Sequence, residues 1–382
     1  MTGQSYLAWA KDPEIRKRGG SGGFVTAALI AGLKEGIIDE VLLVRRIDQF
    51  ESVPYLTHDP EEVKSASSPQ LAAPLNLSSY IPRGVKVAVT TKPCDARAII
   101  ERAKRGRFEL EDVYMVGLNC GGTMPPVSTV ESVRNLFGVD PDTVTGIEIE
   151  GGELIFKRDR GEDLTISIDE AEKKGYGRRE SCKYCNTNIP EMADLACGNW
   201  GVPSDQRATF VEILSAKGEE LFEAAKKTSM IEFEDATQKE LEKRLKIDRR
   251  MRELANRRWD EVAGVLDERD RLAYYINEFS RCIHCESCKI VCPVCVCEAD
   301  AKCLDMGQGN NHYRISLYNM IRLFHLMDSC IGCGQCEDVC PVDIPLTMIH
   351  QRFERRMEEM IGYRPGFDLQ KPPLQKPEEG MK

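Results

Sequence analysis

The sequence contains no apolar run long enough to cross a bilayer. Its longest apolar stretches, such as residues 24–33, fall well short of the ~20 residues that a spanning helix needs. It opens without a basic-then-apolar leader, and the expectation is a cytoplasmic protein that touches no membrane. A basic surplus is missing too. The 52 Lys and Arg face 62 Asp and Glu, a net charge of −10, which argues against nucleic acid and anionic membrane surfaces as partners. Cysteine, by contrast, is abundant: there are 16 in 382 residues. Disulfides suit small secreted domains, and nothing here points to one. Cysteines at C-x-x-C spacing in a reducing compartment are metal ligands, and thiolate-rich sites select zinc or iron–sulfur clusters.

Spacing decides between those two. One run is Cys282, Cys285, Cys288 and Cys292 followed by Pro293; the other is Cys330, Cys333, Cys336 and Cys340 followed by Pro341. This is the bacterial two-cluster ferredoxin pattern, in which the fourth cysteine of each run ligates the other cluster. One [4Fe–4S] cluster then takes Cys282, Cys285, Cys288 and Cys340, and the other takes Cys330, Cys333, Cys336 and Cys292. Zinc would need only C-x2-C pairs and would leave the third and fourth cysteines unexplained. Between the runs, Ile315, Tyr318, Ile321 and Leu323/Phe324 recur at helical spacing, so helices are expected to brace the clusters. His312 and His325 read as helix-surface or core residues rather than ligands.

The expected organisation is an α/β flavin- and cluster-binding domain followed by a mainly helical two-[4Fe–4S] ferredoxin domain. Residues 1–215 form the first. A glycine loop, Gly19-Gly20-Ser21-Gly22-Gly23, leads into an apolar-periodic helix, and strands near 41–44, 85–90 and 113–118 flank a helical stretch near 95–105. Strand, helix, strand at this spacing predicts a parallel βαβ unit. Residues 144–168 alternate as a hairpin turning at Gly151-Gly152. Residues 216–275 read as a charged helical linker, 276–350 as the ferredoxin domain, and 351–382 as a C-terminal tail that is proline-rich and extended or disordered after Arg364.

Four more cysteines sit in the first domain. If strands 85–90 and 113–118 are parallel neighbours, Cys94 and Cys120 stand at their carboxyl ends, where open α/β sheets bind ligands. Cys182 and Cys185 form a C-x2-C pair. Each alone reads as a buried small hydrophobe; the four together read as a third [4Fe–4S] site. The GGSGG loop before a helix lets backbone N–H groups approach an anion, though a flexible turn reads equally well.

The ordered motifs RGGSGGFVTAALIAGLKEGIIDEVLLV, TTKPCDARAI, GLNCGG and SCKYCNTNIPEMADLACGNWGVP resemble the beta-subunit family of coenzyme F420-dependent hydrogenases and formate dehydrogenases, over roughly residues 10–215. The C-terminal two-cluster extension, with C-P-x-C-x-C at Cys292–Cys297, is similar to the formate dehydrogenase members. The resemblance implies an FAD and a [4Fe–4S] cluster in the first domain, with the cluster cysteines on Cys94, Cys120, Cys182 and Cys185. It places Gly19, Gly20, Ser21, Gly22, Gly23 and Thr26 against the flavin, with Thr90, Thr91, Lys92 and Asn119 facing the same pocket. Lys92 has two readings, a cation beside the flavin ring or a surface lysine. Residues 67–70 and Gly198 to Pro203 depart from the family pattern.

The implied activity is exchange of hydride between coenzyme F420, the substrate, and FAD, then single-electron passage through the clusters. The implied partner is a molybdenum or tungsten formate dehydrogenase catalytic subunit, with heterodisulfide reductase further along. This chain has no pterin-site signature, so formate oxidation is not its own step. The competing class is an iron–sulfur relay without F420 turnover. Cys197, Cys295, Cys297 and Cys303 are left over. They read either as a fourth cluster, with Cys197 reaching across the domain interface, or as spare cysteines in a shielding loop.

Overall fold

The computed structural model of the chain describes residues 4–66, 71–264, 270–295, 312–370 and 372. Its strands are β1 (Ser5–Ala10), β2 (Glu40–Arg46), β3 (Ser52–Thr57), β4 (Val87–Thr91), β5 (Val113–Leu118), β6 (Val144–Glu150), β7 (Glu153–Arg158), β8 (Leu164–Ser167), β9 (Leu195–Gly198), β10 (Thr209–Ile213) and β11 (Ile231–Asp235). Eight of them form one mixed sheet in the order β11-β1-β10-β9-β5-β4-β2-β3. Its centre is parallel, with β2, β4, β5 and β9 running together, and its flanks are antiparallel. Because two antiparallel steps separate β1 from β9, β1 runs in the direction of the parallel block.

The expected βαβ unit is present: β4 and β5 are parallel neighbours joined through the helix Pro93–Lys104. The central strands are near-continuous apolar runs because both faces of the sheet are covered. Val41, Leu43, Ala88, Val116 and Leu195 pack on one face under the helices Phe24–Lys34 and Ala216–Lys227. Leu42, Val87, Val89 and Met115 pack on the other, under Pro93–Lys104. Strands β6, β7 and β8 form a separate meander, turning at Gly151 and Gly152 with φ of 61° and 93°. Both central residues of such a two-residue turn need positive φ, which glycine adopts without strain.

Two expected boundaries move. The helix Ala216–Lys227 packs against the sheet, and β11 pairs with β1 as its edge strand, so residues 216–235 belong to the sheet domain rather than to a linker. The long helix Gln238–Ala263 is charged outside but buries Arg244, Asp248 and Ala255. Sequence composition reported its exposed face only. At the other end, the helix Leu346–Ile361 crosses the expected 350/351 boundary. Its continuation docks on the sheet domain: Arg97 Nε donates to Pro365 O at 2.9 Å, and the Gly366 N–H donates to Glu101 at 2.8 Å. Residues 67–70, Cys297, Cys303 and nearly all of the chain beyond 370 lie outside the described residues. Among the described residues no helix is long and apolar enough to cross a membrane.

Candidate metal and cofactor centres

The carboxyl edge of the sheet gathers the candidate residues of the first domain. β4 ends at Thr91; Lys92 then leads into the helix Pro93–Lys104, whose first turn holds Cys94. The neighbouring β5 ends at Leu118, followed by Asn119 and Cys120. Cys120 is pinned from both sides by Asn188, its N–H donating to Asn188 O at 2.9 Å and its carbonyl accepting from Asn188 Nδ2 at 2.8 Å. Gly122 (φ +120°) permits the segment 178–182 to approach, since a Cβ there would lie 2.7 Å from Arg178 Cδ and 3.1 Å from Cys182 Cβ. The Thr123 N–H then points at Cys182 Sγ, 3.5 Å away. Burial pushes the Cys120 thiol up to about 12, with Cys182 and Cys185 adding to the effect. Cys94 is raised for the same first reason, and Cys120 and Cys333 are among the charges it feels. Four thiols thus share one locality. Lys92 is no surface lysine: its Nζ donates to Leu75 O at 2.9 Å and pairs with Asp95 at 2.8 Å, next to these thiols.

The glycine loop occupies the other end of the same edge. The Ala10 N–H at the end of β1 donates to Gly22 O at 2.8 Å, and Arg207 clasps the carbonyls of Lys17 and Gly19. Gly22 and Gly23 adopt φ of 81° and 78°, and the helix Phe24–Lys34 starts with no side-chain cap on its first-turn N–H groups. At the ends of β4 and β5, next to the cysteine segments, Thr91 Oγ1 and Asn119 Nδ2 are buried without partners. Gly198 lies so close that a Cβ would sit 2.3 Å from Asn119 Nδ2. β1 and β4 are four strand spacings apart, roughly 19 Å. An elongated polar ligand lying along the edge would answer both orphaned atoms. These residues fit a flavin dinucleotide.

The C-terminal cysteines line two cavities. One is lined by Cys282, Cys285, Cys288 and Cys340 with His284, Tyr318 and Leu346; the other by Cys292, Cys330, Cys333 and Cys336 with Arg322 and His350. The fourth cysteine of each run therefore faces the other run's cavity. The helix His312–Leu326 serves both: Tyr318 turns to the first cavity, and Arg322 and Leu326 to the second. That is the same-face spacing of one helix. The runs also share a backbone device. His284 and Glu286 (φ 57° and 59°) match Gly332 and Gly334 (φ 65° and 73°) two and four residues after the first cysteine. The left-handed turn aims the His284 N–H at Cys282 Sγ and the Gly332 N–H at Cys330 Sγ, both at 3.4 Å. Such N–H donors stabilise bound thiolate and tune cluster potentials. Among the described residues no three Cys, His, Asp or Glu side chains converge tightly enough for a single metal ion, as zinc with ~2.3 Å bonds to thiolate requires. The residues fit a larger, four-cornered group.

The two halves are bolted together. Arg179, three residues before Cys182, donates to Cys333 O at 2.9 Å and pairs with Asp338. Burial opposes its charge, yet Cys182 and Asp338 hold the guanidinium protonated well above its ordinary range. Arg97, on the helix that starts beside Cys94, donates to Ile331 O at 3.1 Å and pairs with Glu354 at 3.1 Å.

Residues 5–79 and 84–239 match the N-terminal and C-terminal parts of the coenzyme F420 hydrogenase/dehydrogenase beta subunit, and residues 278–344 match a 4Fe–4S dicluster domain. The F420-dependent formate dehydrogenase 1 subunit beta of Methanococcus maripaludis is 35% identical, covering 98% of each chain. The F420-dependent formate dehydrogenase subunit beta of Methanocaldococcus jannaschii is 38% identical over 96% of this chain and 98% of that one. The chain belongs to the coenzyme F420 hydrogenase/dehydrogenase beta-subunit family. Within that family, the coenzyme F420 hydrogenase subunit beta of Methanococcus voltae matches only 56% of this chain at 25% identity. A chain of the F420-reducing [NiFe] hydrogenase complex from Methanosarcina barkeri, in a xenon-derivatised crystal, shares the fold (TM-score 0.56, 23% identity, 68% of this chain and 91% of that one).

Of the two readings of the leftover cysteines, the one in which Cys197 reaches across to Cys295 is corrected. Cys197 lies within β9, fully buried with Leu195 and Val211 under the helices Phe24–Lys34 and Ala216–Lys227. Val294, next to Cys295, instead packs on Ala98 of the helix covering the opposite face. The sheet stands between Cys197 and the segment of Cys295, so these two are not brought together; Cys297 and Cys303 lie outside the described residues. Sequence reasoning also missed Arg97, Arg179 and Arg322. An isolated arginine carries no local signal; these matter because of what distant segments place beside them.

Proposed function

We propose that this chain is the electron-transferring flavo-iron–sulfur subunit of an F420-dependent formate dehydrogenase, working with a catalytic subunit that oxidises formate. The observation that carries this reading is the contiguity of its sites: glycine loop, orphaned polar atoms and four thiols on one sheet edge, joined through Arg179 and the 333–334 loop to two four-cysteine cavities. Bound on that edge, FAD would accept a hydride from reduced F420 and release its electrons singly, and [4Fe–4S] clusters would carry them one at a time.

The chain's own residues hold and order these groups. Gly19 to Gly23 and the uncapped helix start bind the anionic end of the dinucleotide, with Thr26 buried just inside that helix. Thr91 and Asn119 offer their unpartnered polar atoms, with Thr90 and Lys92 beside them. Cys94, Cys120, Cys182 and Cys185 ligate one cluster; Cys292, Cys330, Cys333 and Cys336 the next; Cys282, Cys285, Cys288 and Cys340 the last. Arg179, three residues before Cys182, donates to Cys333 O, and Arg322 lies between Cys288 and the Cys292 cavity, which supports that order. The last site opens outward, with Cys285, Ile283 and Ile290 exposed. Anaerobic rapid mixing with reduced F420 should bleach bound flavin, while NADH should not. Purified protein that contains no flavin would leave only an iron–sulfur relay.

A further inference from the structure

Among the described residues four arginines are almost fully buried: Arg97 (7% exposed), Arg179 (4%), Arg244 (0%) and Arg322 (6%). Three of them pair with a carboxylate, Arg97 with Glu354, Arg179 with Asp338 and Arg244 with Glu212. Arg322 does not. Its Nη1 donates to Cys288 Sγ at 2.7 Å and its Nη2 to Cys288 O at 3.3 Å. Its side chain lines the neighbouring cavity among Cys292, Cys330, Cys333 and Cys336, and its Nε is buried without a partner. A guanidinium cannot shed its proton to escape such a place, and a buried cation without counter-charge is strongly disfavoured. Among the described residues the anions that answer it are the thiolates and clusters that the cavities on either side would hold. His350 lines the second cavity too, but burial keeps it uncharged there.

We propose that Arg322 is the shared counter-charge of the two ferredoxin-type clusters, raising both reduction potentials and raising more strongly the one ligated by Cys288. This rests on the cluster assignment above. The reasoning is electrostatic. Each cluster gains a negative charge on reduction, and a fixed cation close by favours the reduced form. A charge-assisted hydrogen bond directly to a ligand sulfur acts on that cluster most. Arg322 is thus a potential-setting residue for both clusters, acting most on the one whose ligand it touches.

The test is an anaerobic redox titration of the full-length protein followed by electron paramagnetic resonance, with iron content measured on each sample. Arg322→Gln should lower the reduced-to-oxidised ratio of the Cys288 cluster at least tenfold at fixed potential, about 59 mV for one electron, and that of its neighbour by a smaller factor. Arg322→Lys, which keeps the charge, should recover part of both shifts. A Gln variant with full iron and unmoved potentials, or with only one cluster moved, overturns the proposal. If the Gln variant does not assemble clusters, wild-type protein labelled with 15N-arginine decides. A pulsed-resonance coupling from a guanidinium nitrogen to the reduced Cys288 cluster supports the role, and its absence overturns it. Wild-type protein lacking the iron of two ferredoxin clusters would instead sink the assignment on which this rests.

Discussion

Gly334→Ala is the most informative single substitution at the domain junction. Gly334 holds φ +73°, and a Cβ built there would sit 2.1 Å from Ser181 Oγ, 2.5 Å from Ser181 Cβ and 3.0 Å from Arg179 Nη2. Two costs combine. A side chain in the left-handed region costs about 1–2 kcal/mol, and wedging a methyl into packed neighbours costs about 1–3 kcal/mol. The expected loss is therefore about 2–5 kcal/mol, read as a fall of several degrees in melting temperature. Because Ser181 adjoins Cys182 and Gly334 adjoins Cys333, the wedge also parts the first-domain site from the central cavity. Cluster reduction after mixing with reduced F420 should slow, while flavin bleaching stays fast. Ser181→Gly removes the atoms struck, so the double variant should recover about 1–3 kcal/mol of the loss as a coupling energy, leaving the backbone cost behind. The matching position in the other run is already occupied by Glu286 at φ 59°. Wild-type melting in Gly334→Ala, or no coupling to Ser181→Gly, would refute this account of the junction.

Other substitutions probe the remaining assignments. Arg97→Ala leaves Glu354 buried and unpaired and frees Ile331 O and Pro365 O, so unfolding in denaturant should show a loss of about 3–5 kcal/mol. Cys197→Ala should cost about 1 kcal/mol and leave iron content unchanged; a loss of about four irons would restore Cys197 as a ligand. Cys340→Ser should abolish the resonance signature of the cluster at Cys282, Cys285 and Cys288 while preserving that of the Cys330 run, the reverse of Cys292→Ser. Asn119→Leu should lower flavin content after gel filtration without lowering iron.

What could be read from the sequence was whatever depends on short separations along the chain. Ligand spacing in the two cysteine runs, the Gly151-Gly152 turn and the apolar runs of β4 and β5 are local, because the backbone itself fixes their geometry. The exchange of Cys292 and Cys340 between cavities followed from the ferredoxin spacing of the two runs, in which the fourth cysteine serves the other cluster. Tertiary structure alone decided the rest. It returned residues 216–235 to the sheet, since an edge strand as charged as β11 shows no apolar signal of its own. It set Cys197 on the far face from Cys295, because side chains alternate across a strand and one face must be chosen. It also gave Arg179 and Arg322 their places. A buried cation is tolerated only where distant segments supply its partners, and no single stretch of sequence contains both sides of that contact.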